Sequence, residues 1–150
     1  MSNRSAFLDM VAVSEGTSIV PNSDDGYMVL VGSTATHPLL FYSYAKHPNV
    51  INRTLNSTAA GRYQVLHRYA VAYTKLLNLP DFSPTSQDAI ALQQIKESYA
   101  LPDIDAGRFV DAVVKCAHLW ASLPGANYGQ HENKMTALQS AYVDAGGVLA

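Results

Sequence analysis

Glu15 closes an apolar helical pattern, Phe7-Leu8-Asp9-Met10-Val11-Ala12-Val13-Ser14-Glu15, and is followed at once by Gly16 and Thr17. At 3.6 residues per turn Phe7, Val11 and Glu15 share one face, so the carboxyl lies on the stripe expected to pack inward. Burial disfavours a charged carboxylate. It keeps the acid protonated near neutrality, which is the state a general acid needs. The other reading of this position is a solvated glutamate at a helix end.

Two further segments have the makings of a ligand site. In Ser57-Thr58-Ala59-Ala60-Gly61-Arg62-Tyr63-Gln64, Gly61 lets backbone approach a ligand beside the phenol of Tyr63 and the planar amide of Gln64. The same string also reads as a helix start in which Tyr63 packs and Arg62 is solvated. The loop Trp120-Ala121-Ser122-Leu123-Pro124-Gly125-Ala126-Asn127-Tyr128-Gly129-Gln130 combines rings, small residues and amides. Such loops suit the apolar faces and hydroxyl edges of sugars, although core packing of Trp120 and Tyr128 competes with that reading.

Other chemistries lack their residues. His37, His47, His67, His118 and His131 include no pair at the i, i+4 spacing of helical metal ligands, and there are no cysteine partners for a zinc site. No metal and no cofactor is therefore expected. The chain contains no Gly-x-Ser-x-Gly elbow and no glycine-rich phosphate loop, which leaves carboxylate chemistry.

The elements that must position these groups follow from composition and period. A chain of 150 residues, 48% apolar and 15% charged, fits one domain spanning 1–150 with one hydrophobic core. The net charge of −2 supplies no basic field for nucleic acid or anionic membrane. Cys116, the single cysteine, forbids an internal disulfide and reads as a small core residue. The N-terminus lacks the apolar core of a signal peptide, and no stretch approaches the ~20 apolar residues of a membrane span.

Residues 4–15 are expected to form the first helix. Gly26–Gly32 and Leu39–Tyr42 read as strands of a small antiparallel sheet, which is marginal without helices to pack on. Helices are expected from Ser57 or Thr58 to Leu77 and from Ser83-Pro84 to about Tyr99. Phe109–Ala121 is apolar over so wide an arc that it reads as a buried central helix. A last helix runs from about Gln130 to Ala145, ending at Gly146-Gly147. The layout is α+β, a small sheet lobe and a larger helical lobe, with a cleft expected between them.

Six strings carry a resemblance: Phe7-Leu8-Asp9-Met10, Ser14-Glu15-Gly16-Thr17, Ala60-Gly61-Arg62-Tyr63-Gln64, Asp81-Phe82-Ser83-Pro84, Leu92-Gln93-Gln94-Ile95-Lys96-Glu97 and Trp120-Ala121-Ser122-Leu123-Pro124-Gly125. In the same order, and over nearly the whole chain from Phe7 to Gly147, they resemble the lambda-phage type of lysozymes. These are endolysins that act as peptidoglycan lytic transglycosylases. The resemblance implies a lysozyme-like fold, with Glu15 as the catalytic acid. It places Gly61, Tyr63 and Gln64, together with Trp120, Ser122, Tyr128 and Gln130, along the substrate cleft. The loop after Glu15 is shorter than the family pattern, and Met28 stands after Tyr27 where the family has an aspartate.

The implied chemistry needs one acid. Glu15 would protonate the oxygen of the β-1,4 bond between N-acetylmuramic acid and N-acetylglucosamine, then take the proton of the muramic C6 hydroxyl as it closes on C1 to give a 1,6-anhydro end. Gln64 would hold an acetamido group, and Tyr128 would hydrogen-bond the Glu15 carboxyl. The rival is a hydrolytic muramidase pairing Glu15 with Asp24 or Asp25, since two-carboxylate glycosidases set their acids ~5 to ~9.5 Å apart. The family further implies a monomer that accumulates in the host cytoplasm. It would reach the glycan strands only after a separate holin opens the inner membrane, with no stable membrane association of its own.

Overall fold

The protein, here a computed structural model describing residues 2–150, is built from six helices among the described residues: α1 (Asn3–Glu15), α2 (His67–Leu76), α3 (Pro84–Glu97), α4 (Leu101–Asp105), α5 (Phe109–Cys116) and α6 (Met135–Asp144). Its contacts divide into two compact units. One combines the stretch ending at Glu15 with Leu92–Ala150; the other is Gly16–Ala91.

The first unit packs α1 against α6 and α4, and α5 against α4 and α6. The apolar stripe read from α1 is buried as expected: Phe7, Val11, Met10 and Ala12 are all nearly inaccessible. Phe7 meets Phe109 at 6.1 Å between ring centres, and Phe109 meets Tyr142 at 4.9 Å. Each such fully buried side chain contributes about 1.5–3 kcal/mol, so these three rings tie α1, α5 and α6 into one core. Beside them the Asp103 carboxylate takes Lys115 Nζ at 2.6 Å and Arg108 Nε at 2.8 Å. The two cations hold its pKa below the usual carboxylate range, Lys115 contributing most. Buried Cys116 lies in this unit, and desolvation together with Asp103 pushes its thiol pKa up to about 12.

Two expectations for this unit change. The helix beginning at Phe109 ends at Cys116, with turns following it, and only one of its faces is buried. Val110 and Val114 stand 47% and 61% exposed, while Phe109, Ala112, Val113 and Cys116 form the inner face. Apolar residues on the outer side widened the arc without being covered. The last helix starts at Met135, because residues 130–133 are irregular, Lys134 is extended, and Glu132 and Asn133 are engaged in loop contacts described below.

In the second unit the core is Phe41, Ala60, Val65, Ala70, Phe82 and Ile90. The expected small sheet of two or three strands is reduced to single antiparallel bridges: Val29↔Leu40, Leu30↔Ala60, Asn52↔Ser57 and Ala60↔Val65. The N–H groups of Tyr27, Met28 and Val29 go to Asp24, Ser23 and Gly26, which are turn bonds, so Gly26 and Tyr27 stay in turns and Met28 joins the pairing through its carbonyl alone. Residues 28–31 still lie between two neighbours. Leu30 N–H reaches Leu39 O and Phe41 N–H reaches Met28 O on one side, while Gly61 N–H reaches Val29 O on the other.

The helix expected from residue 57 begins only at His67. Ala60 and Val65 exchange both backbone bonds across a tight loop, and Gly61 (φ +86°) and Gln64 (φ +52°) take left-handed conformations no helix accommodates. The apolar spacing was real but served a hairpin. A Cβ on Gly61 would lie 2.3 Å from Gln87 Oε1, so the close approach this glycine permits is to Gln87.

Candidate active site

Glu15 is the last residue of α1, and Gly16 at φ +73° is the left-handed residue that terminates the helix behind it. The residue as a whole is half-buried, and desolvation raises its carboxyl pKa from the ordinary glutamate value. One contact works the other way: the Ser122 hydroxyl donates to Glu15 Oε2 at 2.6 Å and favours the carboxylate. Burial is the larger influence, so the acid retains its proton above the usual carboxylate range.

Ser122 comes from the turn-rich segment after α5, where Leu123 N–H bonds Trp120 O and Ala126 N–H bonds Leu123 O. The Glu132 carboxylate fastens this segment by accepting Gly125 N–H at 2.9 Å and Asn127 N–H at 3.0 Å, which lowers its pKa. Asn133 adds a second fastening. Its backbone N–H donates to Ser122 O at 2.8 Å, and its Nδ2 donates to Ser14 O at 3.0 Å and to Ser14 Oγ at 3.1 Å. Ser14 Oγ in turn lies 2.8 Å from Ser122 Oγ.

Of the loop residues singled out from sequence, Ser122 alone bonds Glu15. Trp120 is 3% exposed and belongs to the core instead of presenting a ring to a ligand. Tyr128 is exposed, but its hydroxyl donates to His118 O at 2.8 Å; the contact expected of it with Glu15 belongs to Ser122. Gln130 is exposed on the same loop.

The Gly61–Gln64 segment is organised around buried polar groups of the second unit. Arg62 is buried rather than solvated. Its Nε donates to Asp25 O at 2.9 Å and its NH2 group to Asp25 Oδ2 at 3.2 Å, while the guanidinium lies over the Tyr27 and Tyr63 rings. Tyr63 is 5% exposed, and its hydroxyl donates to Asp88 Oδ1 at 2.6 Å. That oxygen also receives Tyr27 at 2.8 Å, and burial pushes the Tyr27 phenol up to about 12. The phenol of Tyr63 thus faces protein, not ligand. Gln64 donates through Nε2 to Val29 O and Gly61 O, which leaves its side-chain carbonyl as the free end.

The second-acid candidates have partners of their own: Asp24 Oδ2 accepts the Tyr44 hydroxyl at 2.6 Å, and Asp25 pairs with Arg62. Among the described residues no three His, Cys, Asp or Glu side chains cluster as metal ligands would. Ser14, Asn133, Asp88 and Gln87 were not anticipated. Ser14 adjoins Glu15 in the chain, and Gln87 reaches Phe82 O five residues back. The contacts that tie Asn133, Asp88 and Gln87 to the segments discussed here run between distant parts of the chain and leave no local signal.

Comparison with solved structures defines the class. The chain superposes on bacteriophage lambda lysozyme in complex with a chitohexasaccharide at TM-score 0.92, with 50% identity over 99% of this chain and 96% of that one. It superposes on a second structure of lysozyme from bacteriophage lambda at TM-score 0.87. The fold is therefore lysozyme-like. Residues 5–149 match the family model Endolysin. The chain is 50% identical over 153 residues to the endolysin of Escherichia phage lambda, covering 99% of this chain and 94% of that protein. It is 48% identical over 157 residues to the endolysin of Escherichia phage P2, covering 99% and 95%. The chain belongs to the endolysin family, lysozyme-like phage enzymes that degrade peptidoglycan and lyse the host.

Proposed function

We propose that this endolysin is a lytic transglycosylase in which Glu15 is the sole acid–base residue. The supporting observation is a single desolvated carboxyl whose one named polar partner is a serine hydroxyl, while Asp24 and Asp25 are occupied by Tyr44 and Arg62. Neutral Glu15 gives its proton to the glycosidic oxygen of N-acetylglucosamine as the bond from muramic C1 breaks. The muramic C6 hydroxyl then attacks C1, and its proton passes to the Glu15 carboxylate. A 1,6-anhydro ring forms, the acid is restored, and no water is consumed.

Positioned proton transfer supplies ~10²- to ~10⁴-fold, with ring distortion and charge placement supplying the rest. The Gln64 carbonyl would accept the N–H of an acetamido group, and the exposed Tyr128 and Gln130 would line the path of the strand. The enzyme works as one catalytic domain and as a monomer. Among the described residues no helix is long and apolar enough to cross a membrane. On the pattern of the endolysin family, access to the wall is assigned to a separate holin.

The test is product analysis of peptidoglycan digested in heavy-oxygen water. Transglycosylation gives anhydro ends without label. Labelled reducing ends would establish the hydrolytic reading instead.

A further inference from the structure

We propose that Asn133 and Ser14 are positioning residues that lock the Ser122 hydroxyl into donating to Glu15 Oε2, so that the transferable proton of Glu15 resides on Oε1. This rests on the reading of Glu15 as general acid and goes beyond it, because it assigns the oxygen that delivers the proton and the groups that enforce the choice.

The direction of the chain follows from counting hydrogens. Asn133 Nδ2 donates to the Ser14 backbone carbonyl, an acceptor only, so the amide is oriented with its NH2 toward Ser14. That NH2 also reaches Ser14 Oγ at 3.1 Å, closer than its third acceptor, Ser122 O at 3.4 Å, so Ser14 Oγ accepts here and must spend its one hydrogen elsewhere. The remaining neighbour of Ser14 Oγ is Ser122 Oγ at 2.8 Å, and Ser122 Oγ lies 2.6 Å from Glu15 Oε2. One assignment satisfies every group: Asn133 to Ser14, Ser14 to Ser122, Ser122 to Glu15.

The reverse direction fails at Ser14. Were Glu15 to carry its proton on Oε2 and donate to Ser122, Ser122 would donate to Ser14. The Ser14 hydrogen would then have no acceptor, in a residue only 8% exposed. A buried donor without a partner is strongly disfavoured, and donors aligned head to tail polarise one another. Oε2 is thus a permanent acceptor, and the acid proton is displaced to Oε1.

Charged neighbours do not compete for this control. On the elements packed with α1, Asp103 is paired with Lys115 and Arg108, Asp105 with Arg4, and the Tyr142 hydroxyl donates to Val148 O. The other titratable groups on α6 and on the segment that carries Ser122 are the exposed His118, Tyr128, His131, Lys134 and Asp144, while Glu132 is held by the Gly125 and Asn127 amides. On α1 itself Arg4 lies in the first turn and Asp9 at mid-helix, six residues before Glu15. In the second unit Asp24 and Asp25 are engaged with Tyr44 and Arg62.

The test uses Ser14→Ala, which removes the donor to Ser122 without adding charge, with Ser14→Thr as the variant that restores the hydroxyl. Asn133→Asp turns the donor into an acceptor but also adds a negative charge that raises the Glu15 pKa by itself, so Ser14→Ala decides the direction of the shift. Freed to rotate, Ser122 can accept a proton from Oε2, which stabilises neutral Glu15 with its proton misplaced. Turnover at neutral pH should fall about 10-fold, KM should hold, and the alkaline limb of kcat should move to higher pH. Carbon-13 titration of the Glu15 carboxyl without substrate should show the same upward movement, and Ser14→Thr should reverse both. Loss of activity with an unmoved limb and an unmoved NMR titration would overturn the proposal. If Asn133→Asp misfolds, Ser14→Ala decides by the same readouts. The NMR titration stands even if Glu15→Gln proves active, so failure of this proposal and failure of the functional reading are distinguishable.

Discussion

Ser122 Oγ and Glu15 Oε2 lie 2.6 Å apart although 107 residues of chain separate them. The acid is thereby held between two opposed influences, desolvation that favours its neutral form and a hydroxyl that favours its charge. For the general acid proposed here a pKa near the working pH serves best, and this pairing moderates what burial alone would do.

Replacing Glu15 by glutamine preserves an acceptor for Ser122 and removes the proton. Activity should drop by at least ~10²-fold, the lower part of the range for positioned proton transfer. Stability should move the other way. A carboxyl whose folded pKa is raised contributes stability below the unfolded carboxylate range and loses it as pH rises through the folded value. The melting temperatures of the native chain and Glu15→Gln should therefore converge in acid and separate as pH rises, with the glutamine variant higher.

Gly61→Ala should destabilise the protein by about 2 kcal/mol or more, since it combines a left-handed backbone with a Cβ driven against Gln87. Urea titration would show the midpoint falling. Adding Gln87→Ala removes the collision but also the acceptor of Arg62 N–H and the donor to Tyr27 O and Phe82 O, so the double variant should show no recovery.

Much of the helical unit was legible because its signals are local. Phe7, Val11 and Glu15 at one-turn spacing correctly placed the acid at the end of α1, and the Gly146-Gly147 pair marked the end of α6. The second unit was harder to read. Residues 57–66 carry helix-compatible spacing, but Ala60 and Val65 pair with one another, and Arg62 turns inward to Asp25 and two tyrosine rings. The β-forming run at Gly26–Gly32 was likewise overridden by turns closing on Ser23 and Asp24. The serine–asparagine support of Glu15 depends on segments more than a hundred residues apart, a distance that no periodicity encodes.

Asp103 gives a second linkage with the opposite sign. Lys115 and Arg108 depress its pKa, so its contribution is present above the unfolded carboxylate range and is lost as pH falls through the depressed folded value. Asp103→Asn should lower the melting temperature at neutral pH, and the gap should close toward the acid end of a pH series.

The Glu132 carboxylate, which holds two backbone amides, predicts a local effect. Glu132→Gln should accelerate hydrogen exchange at Gly125 and Asn127 while leaving the α1 amides slow. In the native chain the same amides should lose protection as pH falls through the lowered Glu132 pKa.

Cys116, fully buried on the inner face of α5 with its thiol driven far from ionisation, has a practical corollary. Maleimide dyes and spin labels should pass it by under native conditions. A cysteine introduced on an exposed position such as Val114 can then be modified selectively, turning the otherwise unaltered enzyme into its own reporter of motion during attack on the wall.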